Sequence, residues 1–145
     1  MPQVIDPLHT ILTPVLALVI WSLIVWVWMY VTAIPATVAA GTPPQDMRFP
    51  GSVDFLPDYV RQARHNYNHL MEQPTIFYAL VFYTFLAGLQ DTLSIYAAWG
   101  YVVLRIAHSL IQISVNLVLL RFAVFALSTV ALIILAVRDL LALLG

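Results

Sequence analysis

The sequence contains no cysteine and no lysine, and it is poor in charge of either sign. Without cysteine the chain forms no disulfide, no thiolate metal site and no thiol nucleophile of its own. Only 9% of its 145 residues are charged, where a soluble domain carries about 25%. The cations are arginines, Arg48, Arg61, Arg64, Arg105, Arg121 and Arg138, and the net charge of −1 offers no basic surface to nucleic acid. Glu72 is the only glutamate, and neither an internal repeat nor a low-complexity segment is present. What stands in place of charge is apolar bulk: 62% of residues are hydrophobic, and mean hydropathy is +0.92. That composition excludes a soluble globular domain and describes a membrane protein.

No charge occurs between Asp6 and Asp46, so residues 11–38 read as a first span, longer than the roughly 20 residues a bilayer core requires. Trp21, Trp26, Trp28 and Tyr30 suit interface anchoring or packing, and Pro35 is expected to kink or end the helix. The segment before it has no basic residue, so the span reads as retained rather than as a cleaved signal, with His9 in a loop. Residues 40–57 hold Gly41, Pro43, Pro44, Pro50, Gly51 and Pro57 and form the one extended loop. Asp58 is placed to cap a helix that starts near Tyr59 and runs into a second span, 72–89. A short turn from Gly88 to Thr92 leads to a third span, 93–119, and a fourth covers 121–144. The expectation is an all-α membrane protein, a four-helix up-down bundle in a single domain, 1–145. Arg48, Arg61 and Arg64 flank the long loop and Arg121 the last turn, whereas the turn between spans two and three carries only Asp91. The positive-inside bias then puts the long loop and the last turn in the cytoplasm and both termini outside, with Arg138 the one cation against it.

The remaining polar residues fall into two stripes. Arg105, His108, Ser109, Gln112 and Asn116 recur at helical spacing, forming a line about 16 Å long down one helix face. Arg61, His65, Asn68 and Glu72 make a second line, with His69 at its edge. Given the topology, three chain-distant groups converge at one depth: Glu72 with His69 or Asn68, Gln112 with Asn116, and Arg121. An arginine at a helix centre costs about 2.5–3.5 kcal/mol even on insertion scales. Arg105 should therefore face the bundle interior or a hydrated cavity and pair with a carboxylate, and Glu72 is the natural partner for it or for Arg121. The convergence describes a site for a charged hydrophilic ligand, open to the cytoplasm and beside lipid. Plainer uses exist for the same residues: Arg61, Arg64, Arg121 and Arg138 as interface anchors, Ser109, Gln112 and Asn116 as interhelical hydrogen bonders, Glu72 in a structural ion pair. No metal or haem is expected, because ligands must face one another and His108 lies deeper than His65 or His69.

Two segments carry a resemblance. Arg64-His-Asn-Tyr-Asn-His-Leu-Met-Glu-Gln-Pro-Thr-Ile-Phe-Tyr78 looks like the Asn-x-x-Glu-x-x-Pro signature of the MAPEG family, the membrane-associated proteins in eicosanoid and glutathione metabolism, especially its bacterial branch. Arg105-x-x-His108, followed by Asn116-Leu-Val-x-Leu-Arg121, is similar to the family's second motif, and span count and loop placement agree. The resemblance implies a homotrimer, in a bacterial inner membrane, that binds glutathione at subunit interfaces near the cytoplasmic side. It implies that Glu72 holds the glutathione amino group, that His69, Asn68, Arg105, His108, Gln112 and Asn116 support the tripeptide, and that Arg121 stabilises the thiolate. A cation beside sulfur lowers the thiol pKa and makes a nucleophile for a lipophilic electrophile arriving from the bilayer. The implied activity is that of a glutathione-dependent transferase or peroxidase. The chain departs from the pattern at four points: His69 replaces an asparagine, Gln112 and Phe125 each replace a tyrosine, and residues 37–40 bring no basic residue. Those departures support an alternative, a non-catalytic structural or accessory subunit on the same scaffold. A small transporter or proton relay is a third, weaker fit.

Overall fold

In the computed structural model, which describes residues 10–49 and 51–144, five α-helices account for most of the chain. The expectations for Asp6 and His9 lie outside the described residues. Helix α1, Leu12–Ala39, has 28 residues and rises about 42 Å at 1.5 Å per residue. Pro35 lies inside it and does not end it. A proline removes one N–H donor, a loss that spanning helices tolerate where hydroxyls re-satisfy the backbone. Thr32 and Thr37 flank the proline and donate to Trp28 O and Ala33 O one turn back, adding side-chain bonds to the neighbouring turns rather than to the carbonyl of Val31 that Pro35 frees. The following loop holds a short 3-10 turn, Pro44–Met47, and folds back on the helix end, with Val53, Leu56 and Val60 buried against Ala33, Ala36 and Met47.

Helix α2, Asp58–Leu70, starts at Asp58 itself, so the expected cap is corrected. Pro57 occupies the capping position, and the Asp58 carboxylate accepts from Arg61 Nη2 one turn on. A negative charge in the first turn still complements the helix dipole. Nor does α2 run on into the second span. It stops at Leu70, and α3 covers Gln73–Leu86. Pro74 is the cause: it has no N–H to give, and its ring would strike the carbonyl of Leu70 four residues back. The freed groups find partners. Asn68 O accepts from Met71 N at 2.9 Å, Glu72 O accepts from the Thr75 hydroxyl at 2.7 Å, and His69 O accepts from Arg105 Nη2 at 3.3 Å. Among the described residues, three helices are long and apolar enough to cross a membrane, α1, α4 and α5. Helix α3, 14 residues, rises about 21 Å and makes a fourth crossing together with the end of α2.

Helix α4, Thr92–Ile113, is capped by Asp91, whose Oδ1 accepts from Ser94 N at 2.8 Å. It ends six residues short of the expected span boundary at 119. Asn116 sits at φ +49°, a region asparagine tolerates better than most residues, and its N–H closes back on Ile111 O at 2.8 Å. Helix α5, Val118–Leu144, returns alongside α4.

The core is apolar in its middle. Phe77 and Tyr101 stack at 4.5 Å between ring centroids, and Leu18, Val25, Val81, Val102 and Leu135 pack around them. Outside, α1 and α5 present Leu16, Leu23, Val31, Leu119 and Phe122, an apolar surface suited to lipid or to another membrane subunit. Helix α4 reverses the soluble pattern. Arg105, His108, Ser109 and Gln112 are buried, while Val103 and Leu110 are exposed. The polar stripe therefore faces inward, as its spacing implies, except that Asn116 has left it for the turn.

Candidate functional site

The break between α2 and α3, the last turns of α4 and the first turn of α5 surround a cavity of about 290 Å³. Six residues expected at the site line it: Asn68, His69, Glu72, His108, Gln112 and Arg121. His65, expected at the membrane interface, lines it too. Arg105 lies against the cavity wall, 1% exposed. Asn116 is elsewhere: it lines an adjoining cleft with Asp58, Arg61, Gln62 and His65, and its Oδ1 accepts from Arg121 Nη1 at 2.6 Å. The turn at residues 114–117 carries it off the α4 face, and its role becomes that of positioning Arg121.

The expected pairing of Arg105 with a carboxylate is not what the structure shows. Glu72 lies past the end of α2, where Pro74 has broken the helix, and its side chain is 66% exposed. Its Oε2 contacts His69 Nδ1 at 3.0 Å. Arg105 instead meets neutral groups, donating to His69 O and lying over the rings of Phe125 and Tyr101 at 5.1 and 5.7 Å. Cation–π contacts of this kind are worth about 2 kcal/mol when desolvated, against a desolvation penalty of several kcal/mol per ion. Two Arg105 donors, Nε and Nη1, are buried with no hydrogen-bond partner, as are Arg121 Nε and Gln112 Oε1. Of these, Arg121 and Gln112 line the cavity, and Arg105 lies buried behind the lining, against His69 and Phe125.

The depth argument that separated the histidines is also corrected. His69 and His108 stand 4.9 Å apart between ring centroids, and the Phe125 ring lies tilted at 5.3 Å from His69. Because α4 ends at Ile113, His108 is only about one and a half turns from the helix end.

Asn66 is the residue that stripe-reading passes over. It is 1% exposed, and its Nδ2 donates to Ser109 Oγ at 2.7 Å, joining α2 to α4 beside the cavity. The signal was present: Val60, Ala63 and Leu70 mark the buried face of α2, and Asn66 falls on it, so a buried hydrogen bond is the only affordable use.

An integral-membrane helical bundle with a polar cavity at one end, backed by a buried arginine, is the class these features define. The chain belongs to the MAPEG family, whose family model matches residues 11–141. No curated protein and no solved structure matches it. Family and fold together make it a membrane protein of the glutathione and eicosanoid group in general terms.

Proposed function

We propose that the protein is a glutathione-dependent membrane transferase or peroxidase that activates the glutathione thiol for attack on lipophilic electrophiles. The observation that carries this reading is Arg105, fully buried beside the cavity with two donors unpartnered. A buried cation meeting only neutral groups is costly, and a bound anion removes that cost. Glutathione supplies two carboxylates, an ammonium and a thiol. Glu72 takes the ammonium through its exposed carboxylate, and Arg105 and Gln112 take polar groups of the peptide. Asn68, His69 and His108 line its path. Arg121, held by Asn116, stands beside the sulfur. The acceptor enters from lipid along the apolar helix faces. The working unit is a homotrimer in a bacterial inner membrane, with the long loop and cavity on the cytoplasmic side and both termini outside.

Titrating purified protein with glutathione while following thiolate absorbance near about 240 nm tests the reading. A saturable thiolate signal that Arg121→Ala abolishes supports it. A flat trace, or one that Arg121→Ala leaves unchanged, removes it.

One observation favours a second reading, a non-catalytic scaffold subunit. Phe125, where related enzymes carry tyrosine, is committed to packing on Arg105 and His69 and has no hydroxyl to offer sulfur. In that case the protein purifies in mild detergent as a complex with other membrane subunits, and calorimetry shows no glutathione binding.

A further inference from the structure

Within the cavity, one side chain is arranged unlike the others. The Glu72 carboxylate is an acceptor, so its 3.0 Å contact fixes the hydrogen on His69 Nδ1. That leaves Nε2 with a lone pair, and no hydrogen bond occupies it among the described residues. Neighbours crowd the ring: His108 lies tilted against it at 4.9 Å, Phe125 lies at 5.3 Å, and Arg105 Nη2 holds the His69 carbonyl at 3.3 Å. The charged and titratable groups around it are Glu72 from the helix break, Arg105 and His108 from α4, Arg121 from α5, and His65 one turn back on α2, which lines the same cavity. His108 has no carboxylate partner of its own among the described residues.

We propose that His69, oriented by Glu72, is the proton acceptor for the thiol bound in this cavity, a carboxylate–imidazole dyad built across the α2–α3 break. This deepens the glutathione reading above and rests on it. In the step, the S–H bond breaks, the proton passes to His69 Nε2, and the bonding electron pair stays on sulfur beside Arg121. No oxidant or second reactant is needed. With the ring hydrogen on Nδ1 directed at Glu72, the Nε2 lone pair is available to take the proton. Once the proton has moved, the new thiolate and Glu72 both stabilise the imidazolium, the logic by which an imidazole activates a sulfur or oxygen nucleophile generally. Glu72 serves two partners with two oxygens: Oε2 for His69, Oε1 for the ligand ammonium.

The decisive readout is where the proton goes. Full-length protein in detergent is saturated with glutathione at pH 7 in weak buffer, and thiolate formed and protons released are counted together. The dyad predicts thiolate formation with far less than one proton released per thiolate, since His69 retains it. His69→Gln should still bind glutathione by calorimetry but form about tenfold less thiolate at pH 7, with each thiolate releasing its proton to solvent. Glu72→Gln, read at saturating glutathione, should move the onset of thiolate to higher pH. One proton released per thiolate in the wild type, or an unchanged thiolate–pH profile in His69→Gln, overturns the dyad. Glutathione binding without thiolate overturns it while leaving the binding site standing. No binding at all overturns the glutathione reading and the dyad with it. Should His69→Gln not fold, the wild-type proton count and Glu72→Gln still decide.

Discussion

The two ends of the bundle treat charge in opposite ways. At the end with the 87–91 turn, Arg138 pairs with Asp91, and the buried Asp139 carboxylate accepts from the Thr84 hydroxyl at 2.7 Å. Asp91 also caps α4, and Ile11 N reaches Gln90 Oε1 across the turn at 3.3 Å. These contacts tie α1, α4 and α5 to the turn, and each carboxylate has a partner supplied by the chain. At the cavity end, Arg105 and Arg121 meet only a backbone carbonyl, an amide oxygen and ring faces. The turn end holds an ion pair, Arg138 with Asp91, although Arg138 Nε is buried without a partner; at the cavity end neither Arg105 nor Arg121 meets a carboxylate. In a medium where unpaired polar groups cost several kcal/mol each, that contrast separates residues that hold the fold from residues arranged for something else.

The contrast can be broken at its sharpest point. Arg121→Ala should lower glutathione-dependent turnover by about 10²–10³-fold, the usual loss when a preorganised group at a developing charge is removed. Assay of purified wild type and variant with a lipophilic electrophile checks it. Next, Arg105→Met should weaken glutathione binding by about tenfold or more while leaving thermal stability of the ligand-free protein unchanged or higher, because it removes a buried cation without an ionic partner. Asp139→Ala should do the reverse. It should cost about 1 kcal/mol, the net worth of the lost hydrogen bond between α3 and α5, since the Thr84 hydroxyl keeps Leu80 O at 2.9 Å as an acceptor, and leave glutathione affinity as it was. Thermal unfolding in detergent, with and without ligand, separates the two.

A smaller effect is expected at Asp91. The Ser94 backbone N–H, more than the Arg138 charge, holds its carboxyl below the ordinary value of 3.8. A carboxyl depressed on folding contributes stability that is complete above 3.8 and lost as pH falls through the lower folded value. Asp91→Ala should cost about 1 kcal/mol as a lost helix cap, and the difference from wild type should shrink as thermal scans move from pH 6 to pH 3. Orientation gives a yes-or-no test. The chain has no cysteine, so Thr42→Cys and Leu143→Cys each introduce a unique label site. In intact cells, an impermeant maleimide should spare Cys at 42 and modify it at 143.

Much of this contrast was legible in the sequence. Arg105, His108, Ser109 and Gln112 share a helix face, and an arginine that deep in an apolar helix has nowhere to point but inward. What spacing could not supply was where helices stop. Pro74 breaks the second stripe before Glu72, which turns a presumed Arg105 partner into the partner of His69. The positive φ of Asn116 ends α4 early and converts a stripe residue into the one that positions Arg121. Asn66 lies on the apolar face of α2, outside either stripe, and its role depends on Ser109 across the helix interface. Each of these depends on backbone breaks or on pairing across helices, and neither follows from periodicity along one helix.

The central claim is that the cavity end is open because an anionic thiol peptide closes it. Calorimetric titration of the purified protein with glutathione, wild type against Arg105→Met, tests that most directly. The account predicts saturable binding to the wild type and affinity at least about tenfold weaker in the variant. No binding to the wild type, or equal affinity in both, would contradict it.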